Sequence, residues 1–324
     1  MTSLNDSYNR KIDYLRLSVT DKCNLRCIYC VPAQGLKLKP RKDILTYEEI
    51  ELFANCVVEE GISRIRLTGG EPLIRRDILS LVRNIASIPG LKDFSLTTNG
   101  FLLADYADML MDAGLNRINI SIDSLDPSIY KFITRVGELD RIMNGLAKAL
   151  ESGFNPVKIN VVVLRGINDD ISDFVKLIYE YPVHVRFIEY MPFGTEIGPE
   201  KTVNSCELKE RIERFGKLRP VEAMRGAGPA RYFEMKGALG TLGFISPISE
   251  HFCANCNRLR LTAEGRLRSC LFLDDEINVR EALRSDASKE NIRRLIKRAL
   301  LKKPKNSLGY GHDNLQRQMS QIGG

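Results

Sequence analysis

Up to about residue 195, short β-like runs alternate with amphipathic, helix-like stretches. The runs YLRLSVT, RIRLTGG, DFSLTTNG, RINISIDS, VKINVVVL and VHVRFIEYMP read as strands. Between most of them lie segments such as TYEEIELFANCVVEEG, YADMLMDAGL and ELDRIMNGLAKALESG, whose apolar spacing predicts helices. Glycine closes the last two near the expected helix end. Six strand–helix units in order predict an α/β architecture with a parallel sheet and right-handed crossovers. Periodicity does not separate an open sheet from a barrel. The cysteines, TGGEP, TTNG, SIDS and EYMP all follow or end strands, however, and a barrel would gather them on one rim.

After residue 195 the alternation stops. SCELKERIERFG predicts a helix, ARYFEMKGALGTLGFIS a β-hairpin region, and KENIRRLIKRALLKKP a basic helix. Two parts are expected, an α/β part over 12–195 and an α+β region over 196–324. The ending GYGHDNLQRQMSQIGG has little apolar content and by itself predicts a frayed tail.

Composition narrows the class. With 324 residues, 44% hydrophobic and 27% charged, the chain can build a sizeable core. It has no run of eighteen apolar residues, so no membrane span is expected. The opening MTSLNDSYNRKIDYLRLS lacks the apolar segment of a secretory signal, and a cytoplasmic protein is expected. A net charge of +7 leans towards anionic partners such as nucleotides, though a solvated basic surface explains it equally well. No basic–aromatic pattern of a nucleic-acid binder is present.

The eight cysteines carry more chemistry. Cys56 falls in an apolar stripe and reads as core, and Cys206 stands alone. The other six form two close triads, Cys23/Cys27/Cys30 and Cys253/Cys256/Cys270. In a reducing compartment clustered thiols point to metal rather than disulfides. Three thiolates on one loop can each bind one iron of a cubane, which leaves the fourth iron open, as a catalytic metal keeps a position for substrate. For the second triad, spacing alone leaves two readings open, a second iron–sulfur cluster or a structural zinc completed by His251. Arg258, Arg260, Arg266 and Arg268 crowd that segment. Guanidinium groups suit phosphate, and a closed zinc has no need of them.

The C-x3-C-x2-C spacing, with Tyr29 before the last cysteine, resembles the signature of the radical S-adenosylmethionine superfamily. LTGGEPLIRRD resembles the same superfamily's GGEP motif. The whole set, TDKCNLRCIYC, TGGEPLIRRD, TTNG, NISIDS, RFIEYMP, FCANCNRLRLTAEGRLRSCL and the terminal IGG, resembles the GTP 3′,8-cyclase family from about residue 12 to Gly324. The resemblance implies an incomplete (β/α)6 TIM-like barrel closed by the C-terminal region. It implies two [4Fe-4S] clusters at opposite ends of one cavity, on Cys23, Cys27 and Cys30 and on Cys253, Cys256 and Cys270. S-adenosylmethionine would sit on the first, near Tyr29, Gly70, Ser121 and Met191. GTP would sit on the second, near Arg16, Arg66, Thr97, Lys158, Arg258, Arg260 and Arg268. The implied reaction removes the C3′ hydrogen of GTP and joins C3′ to C8 of guanine, giving 3′,8-cyclo-7,8-dihydro-GTP. Gly323 and Gly324 would reach the active site, against the frayed-tail expectation. A downstream cyclic pyranopterin monophosphate synthase and a homodimer are implied as well, and the electron donor is not. A peptide-modifying relative would usually carry more C-terminal cysteines and no diglycine. An electron carrier or a zinc-stabilised nucleic-acid module leaves GGEP unexplained.

Overall fold

All six expected strands form, and they lie side by side in chain order. The structure is a computed structural model and describes residues 4–35, 37–192, 197–222, 228–285, 289–306 and 317–323. The order is β1 (Tyr14–Ser18), α1 (Tyr47–Glu59), β2 (Arg64–Thr68), α2 (Ile78–Ala86), β3 (Asp93–Thr98), α3 (Leu103–Asp112) and β4 (Arg117–Ser121). It continues through α4 (Pro127–Thr134), α5 (Leu139–Glu151), β5 (Val157–Val163), α6 (Ser172–Glu180) and β6 (Val183–Glu189). Local chemistry sets the helix starts. At α1, Thr46 accepts from the Glu49 amide while the Glu49 carboxylate accepts from the Thr46 amide, a reciprocal cap. At α4, Asp126 accepts from the amides of Ser128 and Ile129 ahead of Pro127.

The C-terminal region adds α7 (Ser205–Glu213), β7 (Arg219–Val221), β8 (Arg231–Glu234), β9 (Thr241–Ile245), β10 (Arg258–Leu261), β11 (Arg266–Arg268), β12 (Glu276–Asn278), α8 (Arg280–Arg284) and α9 (Lys289–Leu301). Its strands do not make a sheet of their own. They extend the first sheet at both edges, in the order β12-β11-β10-β1-β2-β3-β4-β5-β6-β9-β8-β7. β10 lies parallel to β1 and β9 parallel to β6, while β8 and β9 form the expected antiparallel pairing. Among the described strands β12 and β7 do not meet, so the barrel is partial. The expected division at 195/196 falls at residues outside those described. No described helix is long and apolar enough to cross a membrane.

The two faces of this sheet differ in kind. Leu15, Leu17, Ile65, Leu67, Phe94, Leu96, Ile118, Ile120, Ile159, Val161, Val185 and Phe187 point one way and join the main core, as does Cys56 from α1. The alternate positions carry Arg16, Arg66, Ser95, Arg117, Asn119, Lys158, Asn160, His184 and Arg186. Strand pairing aligns them into rows: Arg260, Arg16, Arg66 and Ser95 lie side by side across β10, β1, β2 and β3. Asn119, Lys158 and His184 do the same across β4, β5 and β6. An ordinary parallel barrel fills its interior with branched apolar side chains. This one keeps a polar inner face.

Part of that face is internally paired. Arg117 on β4 donates to Asp93 on β3 at 2.7 and 2.5 Å, with both residues buried. Arg117→Met is expected to cost about 3–5 kcal/mol, because it strands a buried carboxylate. Combining it with Asp93→Leu should recover most of that loss. Urea unfolding of the three variants checks this, and equal destabilisation by the single and double changes would contradict it.

Candidate active site

One cavity of about 300 Å3 occupies the polar concavity, and all six clustered cysteines line it. Its wall is made from strand ends and the loops after them. The first triad sits on the loop after β1, held from two sides. The amides of Arg26 and Ile28 donate to the carbonyls of Thr134 and Ile133 at the end of α4, at 3.1 and 2.9 Å. Arg135, with a φ of 64°, donates to the carbonyls of Arg26 and Val31.

From the other side comes the GGEP turn. Gly70 donates its amide to the Thr20 carbonyl and Glu71 to the Lys22 carbonyl, both at 2.8 Å. A Cβ on Gly70 would lie 2.2 Å from the Lys22 carbonyl oxygen, and one on Gly69 2.7 Å from that of Thr20. The glycines therefore admit the cysteine loop itself as well as facing the cavity. Glu71 is fully buried and accepts from Thr98 Oγ1, the Asn99 amide and the Leu73 amide, at 2.8, 2.6 and 3.0 Å. Burial still lifts its carboxyl to about 7. Asn99 in turn donates from Nδ2 towards Cys23 Sγ at 3.7 Å and to Asn24 at 2.8 Å.

The electrostatics of the two ends are opposite. Burial lifts the Cys23 thiol to about 11. Burial, aided by Cys23, lifts Cys30 to about 12, and burial with Asp123 and the neighbouring thiols lifts Cys27 well above the usual thiol range. Three sulfurs crowded with Asp123 lack a positive centre, which an iron cluster would supply as the thiols give up their protons. Among the described residues, no three ligating side chains converge as a single metal ion requires. A cubane instead takes one cysteine on each of three irons. Tyr29 completes this end, donating to Asp123 at 2.6 Å.

Across the cavity the shortage is of negative charge. Burial first, then Arg260 and Arg66, hold the Arg16 guanidinium well below its usual value. Burial and Arg258 bring Arg260 down to about 9, and burial with Arg186 and Arg117 brings Arg66 to about 10. Burial, then Arg186, Arg117 and Arg66, depress Lys158 to about 6. Several buried polar atoms at this wall find no hydrogen-bond partner among the described residues: Tyr14 OH, Thr68 Oγ1, Thr97 Oγ1 and the Nε atoms of Arg16 and Arg186. Buried polar groups are rarely left so unless a ligand completes them. At the second triad burial alone would raise the Cys256 thiol, but Arg258 and Lys303 outweigh it and lower it to about 6. Lys303 is buried and donates to Cys256 Sγ at 3.5 Å and to the carbonyls of Arg258 and Ser269 at 2.8 and 2.7 Å. His251 is exposed and is not among the residues lining the cavity, and among the described residues it does not converge with the triad into a single-metal site.

The cavity wall brings together Arg16, Cys23, Cys27, Tyr29, Cys30, Arg66, Gly70, Thr97, Ser121, Met191, Cys253, Cys256, Arg258, Arg260, Cys270 and Gly323. Gly324 lies outside the described residues. Lys158 is fully buried behind the wall, its amine 5.9 Å from the Tyr232 ring centre. Arg268 is not among the residues that line the cavity. Its guanidinium donates to Glu276, Asp274 and the carbonyls of Leu271 and Leu273. Its Nε finds no partner among the described residues, while its other donors hold the loop that follows Cys270. Arg186, Asn160, Asp123 and Lys303 were missed. For Arg186 and Asn160 the signal was present, since VKINV and VHVRF alternate apolar with polar residues. For Lys303 there was none, because it lies in an ordinary basic helix end.

The comparisons with known proteins agree with this geometry. The model of the Radical SAM superfamily matches residues 17–178, and that of Molybdenum Cofactor Synthesis C matches 183–308. The chain is 48% identical over 323 residues to the GTP 3′,8-cyclase of Moorella thermoacetica, covering 99% of this chain and 100% of that protein. It is 48% identical over 325 residues to that of Thermodesulfovibrio yellowstonii, with 99% and 100% covered. Among solved structures, Streptococcus suis SuiB superposes with a TM-score of 0.63 at 16% identity, over 89% of this chain and 69% of that one, a likeness of fold.

Because Gly70 packs on the backbone of the cysteine loop, Gly70→Ala must displace that loop. Reconstituted protein is expected to hold about half the wild-type iron, with the second triad still loaded. Iron assay and Mössbauer spectra of the variant check this, and full iron content would show that the close packing is dispensable.

Proposed function

The chain belongs to the GTP 3′,8-cyclase family, and from that premise we propose how its own residues share the work. It is a radical S-adenosylmethionine enzyme of molybdenum cofactor biosynthesis, with GTP as substrate. Its family uses S-adenosylmethionine and [4Fe-4S] clusters, and both cysteine triads suit such clusters in number and setting. When bound, the reduced cluster and S-adenosylmethionine supply the radical chemistry that removes the C3′ hydrogen of GTP.

Cys23, Cys27 and Cys30 would hold one cluster and Cys253, Cys256 and Cys270 the other. Gly70, Tyr29, Ser121 and Met191 border the first and would seat S-adenosylmethionine. Arg16, Arg66, Arg258 and Arg260 would bind the triphosphate and base side of GTP, Thr97 would offer its unpartnered hydroxyl, and Lys158 would lend charge from behind the wall. Arg186 joins this set on its position. The observation that carries the assignment is the crowd of buried cations at this wall that depress one another. A triphosphate relieves that repulsion, and fixing it fixes which ribose hydrogen is presented. At the tail, Arg16 Nη2 donates to the Gly323 carbonyl at 2.9 Å, which supports placing Gly323 and Gly324 at the reacting end. Family membership also supports a pterin-forming synthase as consumer of the product, a homodimer as the assembly and the cytoplasm as the compartment.

Arg66→Ala and Arg258→Ala are expected to weaken GTP binding about 10- to 100-fold, the scale of a charged hydrogen bond, with iron content unchanged. Calorimetry on anaerobic reconstituted protein checks both, and unaltered affinity would remove those residues from the site.

Lys158 gives a pH signature. Its amine, depressed to about 6, is mostly neutral in the free protein at pH 8 and regains its proton beside a triphosphate. GTP affinity should therefore fall as pH rises from about 6 to 8, with proton uptake on binding. Lys158→Met should flatten that slope relative to wild type, both measured in two buffers of different ionisation heat.

A further inference from the structure

Between the tail and the Cys270 loop lies a cluster of charges that the reaction scheme does not use. Arg317 donates from Nη2 to Glu276 Oε2 at 2.7 Å, approaches Glu276 Oε1 with Nε at 2.7 Å, and donates from Nη1 to Glu264 Oε1. Glu276 Oε1 is shared, because Arg268 Nη1 donates to it at 2.5 Å. Arg268 continues to the Leu271 and Leu273 carbonyls, one and three residues past Cys270. The side chains are 17% exposed for Arg317, 14% for Glu276, 7% for Glu264 and 1% for Arg268, so water screens these pairs little.

Six residues further on, Gly323 is fitted into the far wall. Its φ is +79°, its carbonyl accepts from Arg16, and a Cβ there would stand 2.7 Å from Thr68 Oγ1 and 3.2 Å from Ser18 Cβ. Between the two lie one short turn, Met319–Gln321, and Ile322, which is buried. The tail is thus a strap tied at both ends. Among the described residues its distal end is held by the Arg16–Gly323 hydrogen bond and a close fit, with Ser320 against Cys30, whereas its proximal tie is a part-buried double ion pair.

We propose that Arg317 is a positioning residue that anchors the C-terminal strap so that Gly323 stays in the cavity, and that Glu276 couples this anchor to the loop carrying Cys270. Glu264 ties the strap to the turn between β10 and β11, where it also accepts from Thr262. Glu276 serves both the strap and the loop, since losing its charge leaves Arg268 with Asp274 and carbonyls only. Docking of the tail and order around the second triad are then one linked event. The consequence for catalysis rests on the role proposed above for Gly323 and Gly324, while the anchor itself does not.

Hydrogen exchange by mass spectrometry on the anaerobic reconstituted enzyme tests it. In Arg317→Met, amides of 318–323 should exchange about tenfold faster or more, while β3 amides keep wild-type protection. Arg317→Lys should recover part of the protection through one ion pair. Glu264→Gln, which preserves volume and serves if the first variant does not fold, should loosen the strap only. Glu276→Gln should loosen both the strap and 271–274. Wild-type protection of the strap in Arg317→Met and Glu264→Gln would overturn the anchor, and unchanged 271–274 in Glu276→Gln would overturn the coupling. Cyclised GTP and 5′-deoxyadenosine are measured in the same samples. A loosened strap with a fallen product-to-deoxyadenosine ratio supports both the anchor and the tail's role. A loosened strap with an unchanged ratio upholds the anchor and removes the tail from the chemistry.

Discussion

Everything in this structure answers to charge of opposite kinds gathered at the two ends of one buried cavity. At one end three thiols and Asp123 crowd together with no cation beside them. At the other, Arg16, Arg66, Arg258 and Arg260 crowd together and their positive charges oppose one another. Either cluster would be costly in a closed protein interior. Both become reasonable once a metal cluster supplies the missing positive centre and a polyanion the missing negative one. At the arginine end mutual repulsion is relieved when a polyanion arrives, and at the cysteine end buried neutral thiols give up their protons as iron binds.

The partial barrel is what makes such an interior possible. Its parallel strands give up the usual apolar filling on one face and keep the core on the other, between sheet and helices. Stability then rests on the outer layer, with Asp93–Arg117 as an internally neutralised pair on the inner face. The C-terminal strands join both edges of the sheet, so Cys253 and Cys256 on the β9–β10 connection, with Cys270 just after β11, line the same cavity as the first triad on the loop after β1. Two motifs more than two hundred residues apart become neighbours through strand pairing.

Rigidity at the cysteine loops comes from backbone contacts. The GGEP turn and the end of α4 grip the first loop through hydrogen bonds to its amides and carbonyls. Arg268 and Lys303 do the same for the second by binding carbonyls around Cys270 and Arg258. Most of these contacts are made to the backbone, while Lys303 and Asn99 also donate to the sulfurs of Cys256 and Cys23.

The sequence by itself determined the strands, because β-branched runs at regular spacing leave few alternatives, and the two triads, because thiol clustering in a reducing setting has few other uses. It also carried the polar alternation of VKINV and VHVRF, and so the presence of Arg186 and Asn160 on an inner face. Only the tertiary structure decided which arginines meet the cavity. Arg260 and Arg268 sit on neighbouring strands of one hairpin and are directly paired. Yet Arg260 lines the wall, while Arg268 turns to Glu276 and the Cys270 loop. Nothing local separates them, since a guanidinium takes whichever acceptors the fold brings within reach. Lys303 and Arg317 were equally illegible for the same reason: their partners, Cys256 and Glu276, lie about forty residues or more away in the chain and meet them only through packing.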